Sequence, residues 1–374
     1  MAYFEITGLP LQRGEGEETP SVSLTLEKGR GLSILSTDGR LPQLLIDILK
    51  GKTTFSGEII LNDKHIEKLP GSSRNIKVIG DEPGFVPHLT VRENLDLALE
   101  NQPLTAVEAD LVIEKELSQC MLAGLGDVRA DSIDAGARTI LAIERALLTG
   151  CELLLITHLP VPFEKRKEPP TWRPGYLLDT LLDIKTILRR HKATWISTLT
   201  DPACVHILSD RVAIYTQNRL LQEGSLRECL TAPASRVVAD FLAFPKMNYK
   251  KARIERDGPF IILRTGRYGF KVGEYIKRLI APREGQEVIL GVKPEDLFLR
   301  PYETGDPTAM NLARVAQIDS IPGALIVKVD ADGAEWISLT EPGKLVFTGQ
   351  LVELRPDPDK IHLFHPLHGA SILD

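Results

Sequence analysis

The spacing of hydrophobic residues up to about residue 240 predicts strands that alternate with helices. Residues 21–27 alternate aliphatic with mostly hydroxylated side chains, which is the pattern of a half-buried strand. The continuous apolar run at 153–156 is typical of a strand buried in a parallel sheet. Residues 135–148 and 176–191 carry apolar residues at helical spacing. Further strands are predicted at residues 3–8, 57–63 (with the turn that follows), 76–79, 194–198 and 211–215. This alternation predicts a largely parallel sheet with helices on both faces.

Two segments differ from this alternating pattern. Residues 90–148 are helical in pattern, and Thr90 and Glu93 have the spacing of a capping box, so a helical subdomain is predicted at about 88–150. After residue 241 the chain has short strands separated by glycine and proline turns, without long helices. That texture is typical of a second, all-β domain, a small barrel. We therefore divide the chain into domains at 1–240 and 241–374.

Composition limits the classes of function. The 374 residues are 43% hydrophobic and 26% charged, which is typical of a soluble globular protein of two or three domains. A net charge of −6 argues against nucleic acid or an anionic membrane as a direct partner. The four cysteines have no paired spacing, and neither a secretory signal nor a membrane-spanning run is present. A cytoplasmic protein is expected, with any membrane role arising through partners.

The segment 33–46 has the layout of a phosphate-binding loop without its chemistry. It reads as a buried strand, a short loop with one glycine, and an apolar helix. A working loop, G-x-x-x-x-G-K-[ST], needs glycine amides, a lysine and a hydroxyl, whereas Leu41-Pro42-Gln43 stand at its end. Leucine adopts the positive φ of a loop glycine only with strain, and proline offers neither an amide hydrogen nor a charge. Proline is still tolerated in the first turn of a helix. The sequence predicts that the shape is retained and the phosphate chemistry lost.

Several strings, in order along the chain, carry a family resemblance. Residues 86–95 are similar to "Y-P-H-M-T-V-x-E-N-I", and residues 144–147 to "A-R-A-L". Other matching strings lie at 54–59, 208–213, 291–297 and 362–364. Together they resemble the ATPase subunits of sugar-importing ABC transporters, the MalK-like group with a C-terminal TOBE (MOP-like) domain. The resemblance implies an α/β, P-loop NTPase-like ABC domain with a helical subdomain, followed by an all-β, OB-like TOBE domain.

The resemblance places each functional site of the family on changed residues, although the signature retains one glycine. The P-loop positions fall on Ser36, Gly39, Leu41, Pro42, Gln43 and Leu44. The γ-phosphate-sensing glutamine falls on Asp81, and the signature on residues 133–137, including Asp134 and Gly136. The magnesium-binding aspartate falls on Thr157, the catalytic glutamate on His158 and the switch histidine on Thr200. The D-loop falls on residues 160–164, and the adenine-stacking aromatic residue falls near Arg13. This implies a pseudo-ATPase with no catalytic residue, no metal and no cofactor of its own, ATP and magnesium being bound at most weakly or through a partner subunit.

The resemblance also implies partners. Phe85, Val86, Pro87 and His88 correspond to the region that family members press against a transmembrane subunit; local packing is an alternative role. The second partner is an active ATPase chain or a second copy of this chain. Family ATP sites combine one subunit's P-loop with the other's signature, and this chain has lost both halves. The implied role is an inactive subunit of a carbohydrate-type importer, peripheral to the cell membrane.

Other interpretations of the same residues remain open. Residues 51–54 look like a displaced G-K-[ST] but follow a helix, which favours a chance match. His158 offers a substitute base or a structural residue. His362, His365 and His368 offer a metal site, which the predicted strand and turn disfavour. The basic stretch 165–167 is a membrane-subunit contact or a solvated insertion. Two other functions are kept: a regulatory or scaffold protein that uses the β-domain, and a nucleotide-binding ABC ATPase with atypical motifs.

Overall fold

The computed structural model divides the chain into two compact units, Met1–Glu228 and Cys229–Asp374. It describes residues 2–10, 21–36, 40–54, 56–80, 83–157, 159, 176–199, 201–216, 219–243, 245–302, 311–321, 323–343 and 346–373. The division expected at residue 240 lies within a helix of the second unit, Arg236–Leu242.

The first unit combines a parallel sheet, an antiparallel sheet and helices. Its strands are β1 (Phe4–Pro10), β2 (Ser21–Leu26), β3 (Gly31–Ser36), β4 (Glu58–Leu61), β5 (Lys64–His65), β6 (Ile76–Ile79), β7 (Leu153–Ile156), β8 (Trp195–Ser197), β9 (Arg211–Thr216) and β10 (Arg219–Ser225). Its helices are α1 (Arg40–Leu49), α2 (Val91–Leu99), α3 (Ala106–Ser118), α4 (Ala135–Leu148), α5 (Tyr176–Arg190) and α6 (Pro202–Leu208), and α7 (Leu226–Thr231) contains the boundary between the units. A 3₁₀ turn lies at Gly71–Ser73.

The larger sheet of the first unit has the strand order β10-β9-β3-β8-β7-β6. All its neighbouring strands are parallel except β10 and β9. Every residue of β3 and β7 is buried, as their apolar runs predict. A second, antiparallel sheet, β2-β1-β4-β5, was not foreseen as separate. Parallel strands end at one edge of a sheet, so the C-terminal ends of β3 and β7 share the edge where such folds bind ligands.

A buried charged cluster joins α3, α4 and α5. The guanidinium of Arg190 donates to the Glu116 carboxylate and, at 2.5 Å, to Oε1 of Glu144. Nε2 of His191 lies 3.0 Å from Glu144 Oε2. The side chain of Glu144 is fully buried and that of Glu116 is 6% exposed. Buried carboxylates require a positive partner, and Arg190 supplies it from the end of α5.

The second unit is β-rich, consistent with the OB-like domain expected from the sequence. Its strands are β11 (Asn248–Asp257), β12 (Phe260–Thr265), β13 (Tyr268–Lys271), β14 (Glu287–Val292), β15 (Leu297–Pro301), β16 (Leu312–Ile321), β17 (Ala324–Ala331), β18 (Ala334–Thr340), β19 (Leu351–Pro356) and β20 (His362–Phe364). Helices α8 (Arg236–Leu242) and α9 (Glu274–Ile280) are short, and 3₁₀ turns lie at Ala281–Arg283 and Pro294–Asp296.

These strands form two five-stranded antiparallel sheets, β13-β12-β11-β14-β20 and β15-β19-β16-β17-β18. One shared core lies under them, with the aromatic rings of Phe270 and Trp336 in edge contact at 5.4 Å. Two strands of the second sheet, β15 and β16, are hard to predict from the sequence, because they expose much of their length and lack a clean alternating pattern.

Candidate functional site

The P-loop position is occupied by the apolar start of a helix. Strand β3 ends at Ser36, which is buried, and α1 begins at Arg40. Leu41 is only 3% exposed, Leu44 6%, and Pro42 is buried too. Leu41 and Leu44 belong to the core cluster that fills the space beneath β3. Gly39 lies outside the described residues. Three of the side chains at the predicted P-loop positions, Leu41, Pro42 and Leu44, therefore pack into the protein interior.

Helical geometry removes the strain that the sequence suggested at Leu41. The residue lies inside α1 and is not among the residues with positive φ. Pro42 lies in the first turn, where its missing amide hydrogen breaks no helical hydrogen bond. Gln43 is exposed and donates from Nε2 to Asp47 Oδ1 at 3.0 Å, one turn further along the helix. The first turn thus serves helix formation and packing.

The displaced G-K-[ST] match lies at the other end of α1. Gly51 has a φ of +71°, the left-handed conformation that commonly ends a helix. The buried guanidinium of Arg74 donates to the carbonyl of Ile48 at 2.5 Å, which also accepts from the Gly51 amide at 3.0 Å, so this acceptor of the last turn is satisfied. Residues 51–54 therefore follow a helix C-terminus, whose partial negative charge is unsuited to phosphate.

Thr157, at the magnesium-aspartate position, is bonded to the backbone of the neighbouring strand. Its amide donates to the Ile79 carbonyl at 2.8 Å, and its hydroxyl donates to the same oxygen at 3.2 Å. A side chain at Gly80 would collide with the Thr157 hydroxyl. Thr157 thus ties the ends of β6 and β7 together, and a neutral hydroxyl engaged in this way is a poor ligand for magnesium. Asp81, His158, Thr200, Arg13 and residues 160–167 lie outside the described residues.

The signature position carries a capped helix start. Asp134 is the N-cap of α4, and its carboxylate accepts a hydrogen bond from the Ala137 amide at 3.0 Å. Asp134 is exposed, whereas Gly136 is buried. A helix N-terminus attracts anions through its free amides and its partial positive charge. Here a carboxylate of the protein itself already occupies that position, and it repels a phosphate.

The loop Phe85–His88, which we call the docking loop, is held by a residue that sequence reasoning missed. Asn94 of α2 is fully buried. Its side-chain oxygen accepts from the Val86 amide at 2.7 Å, and its side-chain nitrogen donates to the carbonyls of Val86 at 3.0 Å and Thr90 at 2.9 Å. The residue stands within the string 86–95, but its role was not apparent without the fold.

Further contacts fix both ends of the docking loop. Nη1 of Arg145 donates to the carbonyl of Gly84 at 2.8 Å, just before the loop. The Asp131 amide donates to the carbonyl of Pro87 at 3.0 Å. Phe85 packs against the core, while Pro87 and His88 are exposed. The docking loop is therefore a fixed turn that displays two side chains to solvent.

The three C-terminal histidines are not arranged as a metal site. His362 is buried in β20 and stacks with Phe364 at 6.3 Å. The rings of His365 and His368 stack at 3.7 Å, and each Nδ1 accepts a backbone amide hydrogen. Within the described part of the chain, the group whose ligand atoms lie close enough to share a metal is Glu116, Glu144 and His191, and Arg190 already pairs with both of its carboxylates.

The buried imidazole of His362 predicts a loss of stability in mild acid. Burial, and then the charge of Lys293, lower the pKa of His362 from its ordinary 6.5 to about 4. Between these values the unfolded chain binds a proton that the folded chain excludes. We expect the second unit to lose roughly 3 kcal/mol at most as the pH falls through this window, with no further loss from this group below it.

Chemical denaturation at several pH values measures this effect. His362→Leu should flatten the dependence between pH 6.5 and 4. His65→Gln is the matched control, because that side chain is 58% exposed and lies in the first unit. An unchanged slope in His362→Leu would contradict the assignment.

Comparison with known proteins bears on the region that contains the P-loop and signature positions. Residues 20–156 match the family model for ABC transporters. These residues carry an ABC transporter domain. The chain is 25% identical over 374 residues to the sn-glycerol-3-phosphate import ATP-binding protein UgpC 1 of Rhizobium johnstonii, covering 100% of this chain and 96% of that protein. It is 24% identical over 377 residues to the trehalose/maltose import ATP-binding protein MalK of Thermococcus litoralis, covering 96% of each.

Solved structures support the same fold. CbiO1 of Clostridium perfringens, part of the ABC transporter complex CbiONQ, is similar with a TM-score of 0.50 and 16% identity. The similarity covers 61% of this chain and 94% of that one. The predicted fold class, an ABC ATPase fold followed by a β-rich, OB-like region, is confirmed. No helix of the described residues is long and apolar enough to cross a membrane.

Proposed function

We propose that this chain is a pseudo-ATPase: a nucleotide-binding-domain subunit of a carbohydrate-type ABC importer that neither hydrolyses ATP nor binds it well. It docks on transmembrane subunits at the cytoplasmic side of the cell membrane and pairs with an active ATPase chain or a second copy of itself. The relatives named above, which match over nearly their whole length, support the importer role.

The observation that carries the loss of activity is the burial of the P-loop positions. The start of α1 packs into the core through Leu41, Pro42 and Leu44. It therefore offers no lysine, no hydroxyl group to bind magnesium and no glycine loop. Phosphoryl transfer depends on such groups to position the phosphates and neutralise their charge. Arg40 is an exposed cation at this end, but it precedes the lysine position by two residues.

The second half of a composite site is lost by a different route. The Asp134 carboxylate already caps α4 and adds a negative charge where a partner's γ-phosphate would lie. In a heterodimer, the site that uses this chain's P-loop is inactive, and the site that uses its signature is weakened. In a homodimer, both sites carry both defects.

The docking loop supports attachment to membrane subunits. It is fixed at Val86 by Asn94, and it displays Pro87 and His88 on the surface. A preformed surface costs little conformational entropy on binding, which favours a docking role. The loss of ATP chemistry does not disturb this surface, because none of its contacts involves α1 or Thr157.

A titration with a fluorescent MgATP analogue tests the pseudo-ATPase assignment. We expect no saturable binding to the isolated chain at micromolar concentrations, because the phosphate contacts are missing. The trehalose/maltose importer subunit of Thermococcus litoralis is a suitable positive control. Saturable micromolar binding that requires magnesium would overturn the assignment and favour an ATPase with atypical motifs.

A copurified complex tests the proposed partnership. Hydrolysis by the complex should depend on the partner's P-loop lysine, and capture should include a transmembrane subunit. Hydrolysis that survives removal of that lysine would refute an inactive role for this chain. Capture of soluble proteins alone would favour a regulatory or scaffold function.

A further inference from the structure

A cleft in the second unit lies where one β-sheet nearly closes on itself. Strands β15 and β18 are the two outer strands of the sheet β15-β19-β16-β17-β18, and they approach each other without a backbone ladder. A hydrogen bond from the Ser338 hydroxyl to the Leu297 carbonyl, 2.6 Å long, spans the gap. The cleft beside it has a volume of about 280 Å³. Its lining includes Glu295, Phe298, Gly323, Ser338, Thr340 and Glu341.

The hydroxyl groups in this cleft can still accept a hydrogen bond from a ligand, but they have no hydrogen left to donate to one. The single hydroxyl hydrogen of Ser338 is used by the Leu297 carbonyl, because a carbonyl cannot donate. In the 3.3 Å contact between the two hydroxyls, Thr340 must therefore be the donor and Ser338 the acceptor. Thr340 is 8% exposed, and the lone pairs of its hydroxyl accept no hydrogen bond from any described residue. Buried oxygen atoms of this kind favour a ligand that donates hydrogen bonds.

The charged and apolar side chains that line the cleft further limit the chemical class of its ligand. Glu295 and Glu341 are exposed and form no ion pair with any described residue, whereas the adjacent Asp296 is paired with Lys360 at 2.9 Å. Phe298 is 49% exposed although it lies against a cleft. An aromatic face and two carboxylates suit a cation carried on an apolar stem.

We propose that the cleft between β15 and β18 binds an organic cation, an alkylammonium or alkylguanidinium group. The cation donates hydrogen bonds to Thr340 and to the carboxylates of Glu295 and Glu341, and its stem packs on Phe298. A free amine and a lysine or arginine side chain of a partner protein share this chemistry. The site is separate from the P-loop position, so its presence does not depend on the pseudo-ATPase assignment.

Titration of the full chain with n-butylammonium, followed by amide chemical shifts, tests the proposal. We expect saturable shifts at Leu299 and Leu339, which line the cleft. The uncharged isostere 1-butanol should bind far more weakly. Glu341→Gln and Thr340→Val should each weaken binding about tenfold, since each removes a hydrogen bond to a charged group. Both variants are expected to fold, because Glu341 is exposed and valine has nearly the shape of threonine.

Glu335→Gln is the matched control. It removes the same charge at an exposed position of β18, the strand that Glu341 directly follows, but outside the cleft, and it should leave binding unchanged. The proposal would be overturned if Glu335→Gln and Glu341→Gln weakened the binding of n-butylammonium equally. It would also be overturned if 1-butanol bound as tightly as n-butylammonium, or if the chemical shifts never saturated. A short Val/Thr peptide with one lysine identifies the source. If this peptide binds more tightly than n-butylammonium, and if replacing its lysine with norleucine abolishes binding, the ligand is a protein segment. If the peptide binds no more tightly, the ligand is a free amine.

Discussion

Replacing Arg190 with leucine should lower the free energy of unfolding of the first unit by about 3–5 kcal/mol. The change leaves the carboxylates of Glu116 and Glu144 buried without the guanidinium that pairs with both. His191 touches both carboxylates, but a single imidazole cannot replace the fixed geometry of a guanidinium. Because the three partners lie on α3, α4 and α5, the loss should loosen all three helices. Chemical denaturation of the full chain, with amide hydrogen exchange in α3 and α5, measures it.

Two variants identify the cause of that loss. Arg129→Leu removes an arginine of the same region whose side chain is 57% exposed and pairs with Asp131, and it should cost far less. A triple variant, Glu116→Leu with Glu144→Leu and Arg190→Leu, should recover much of the stability, since apolar residues of similar volume often replace a buried ion cluster without loss. Equal losses in Arg190→Leu and Arg129→Leu would show that the cluster carries no special weight.

Local pattern predicted some elements to the residue. Helix α4 and strand β7 have the predicted bounds, because apolar residues at helical spacing mark the first and a continuous apolar run marks the second. The capping box at Thr90 is present with both of its hydrogen bonds. Strands such as β15, which expose alternate and adjacent residues alike, carry no comparable signal, since their place is fixed by pairing with distant β19.

The candidate site also combines features that the sequence predicts with features that only the fold reveals. The strings alone predict that Leu41, Pro42 and Thr157 stand at functional positions of the family, because each follows in an ordered series, and this assignment stays a prediction. Their burial and new hydrogen bonds could not be predicted in this way, since those depend on the core around them. The string "A-R-A-L" even placed Glu144 where the family has alanine. Nothing in the sequence showed that its partner Arg190 lies 46 residues away and also pairs with Glu116.

Replacing Asn94 with leucine should release the docking loop. Leucine has a similar volume but cannot hydrogen bond, so the Val86 amide loses its acceptor, whereas the carbonyls of Val86 and Thr90 still accept from the backbone amides of Leu89 and Asn94. An unsatisfied amide of this kind costs about 1–3 kcal/mol, and local opening relieves part of that cost. We expect the Val86 amide to exchange its hydrogen about tenfold to a hundredfold faster, since each factor of ten corresponds to about 1.4 kcal/mol. Hydrogen exchange resolved at Val86 measures this directly.

Thr105→Ala separates loop release from general loosening of the helices. It removes the capping box of α3, next to α2 but without contact to the docking loop, so Val86 exchange should stay near the wild-type rate. If the docking loop binds a transmembrane subunit, Asn94→Leu should also reduce capture of that subunit, while Thr105→Ala should not. A preformed loop is required for this result, because a released loop must be ordered again on binding. Protected Val86 in Asn94→Leu would mean that the contacts of Gly84 and Pro87 hold the loop without Asn94.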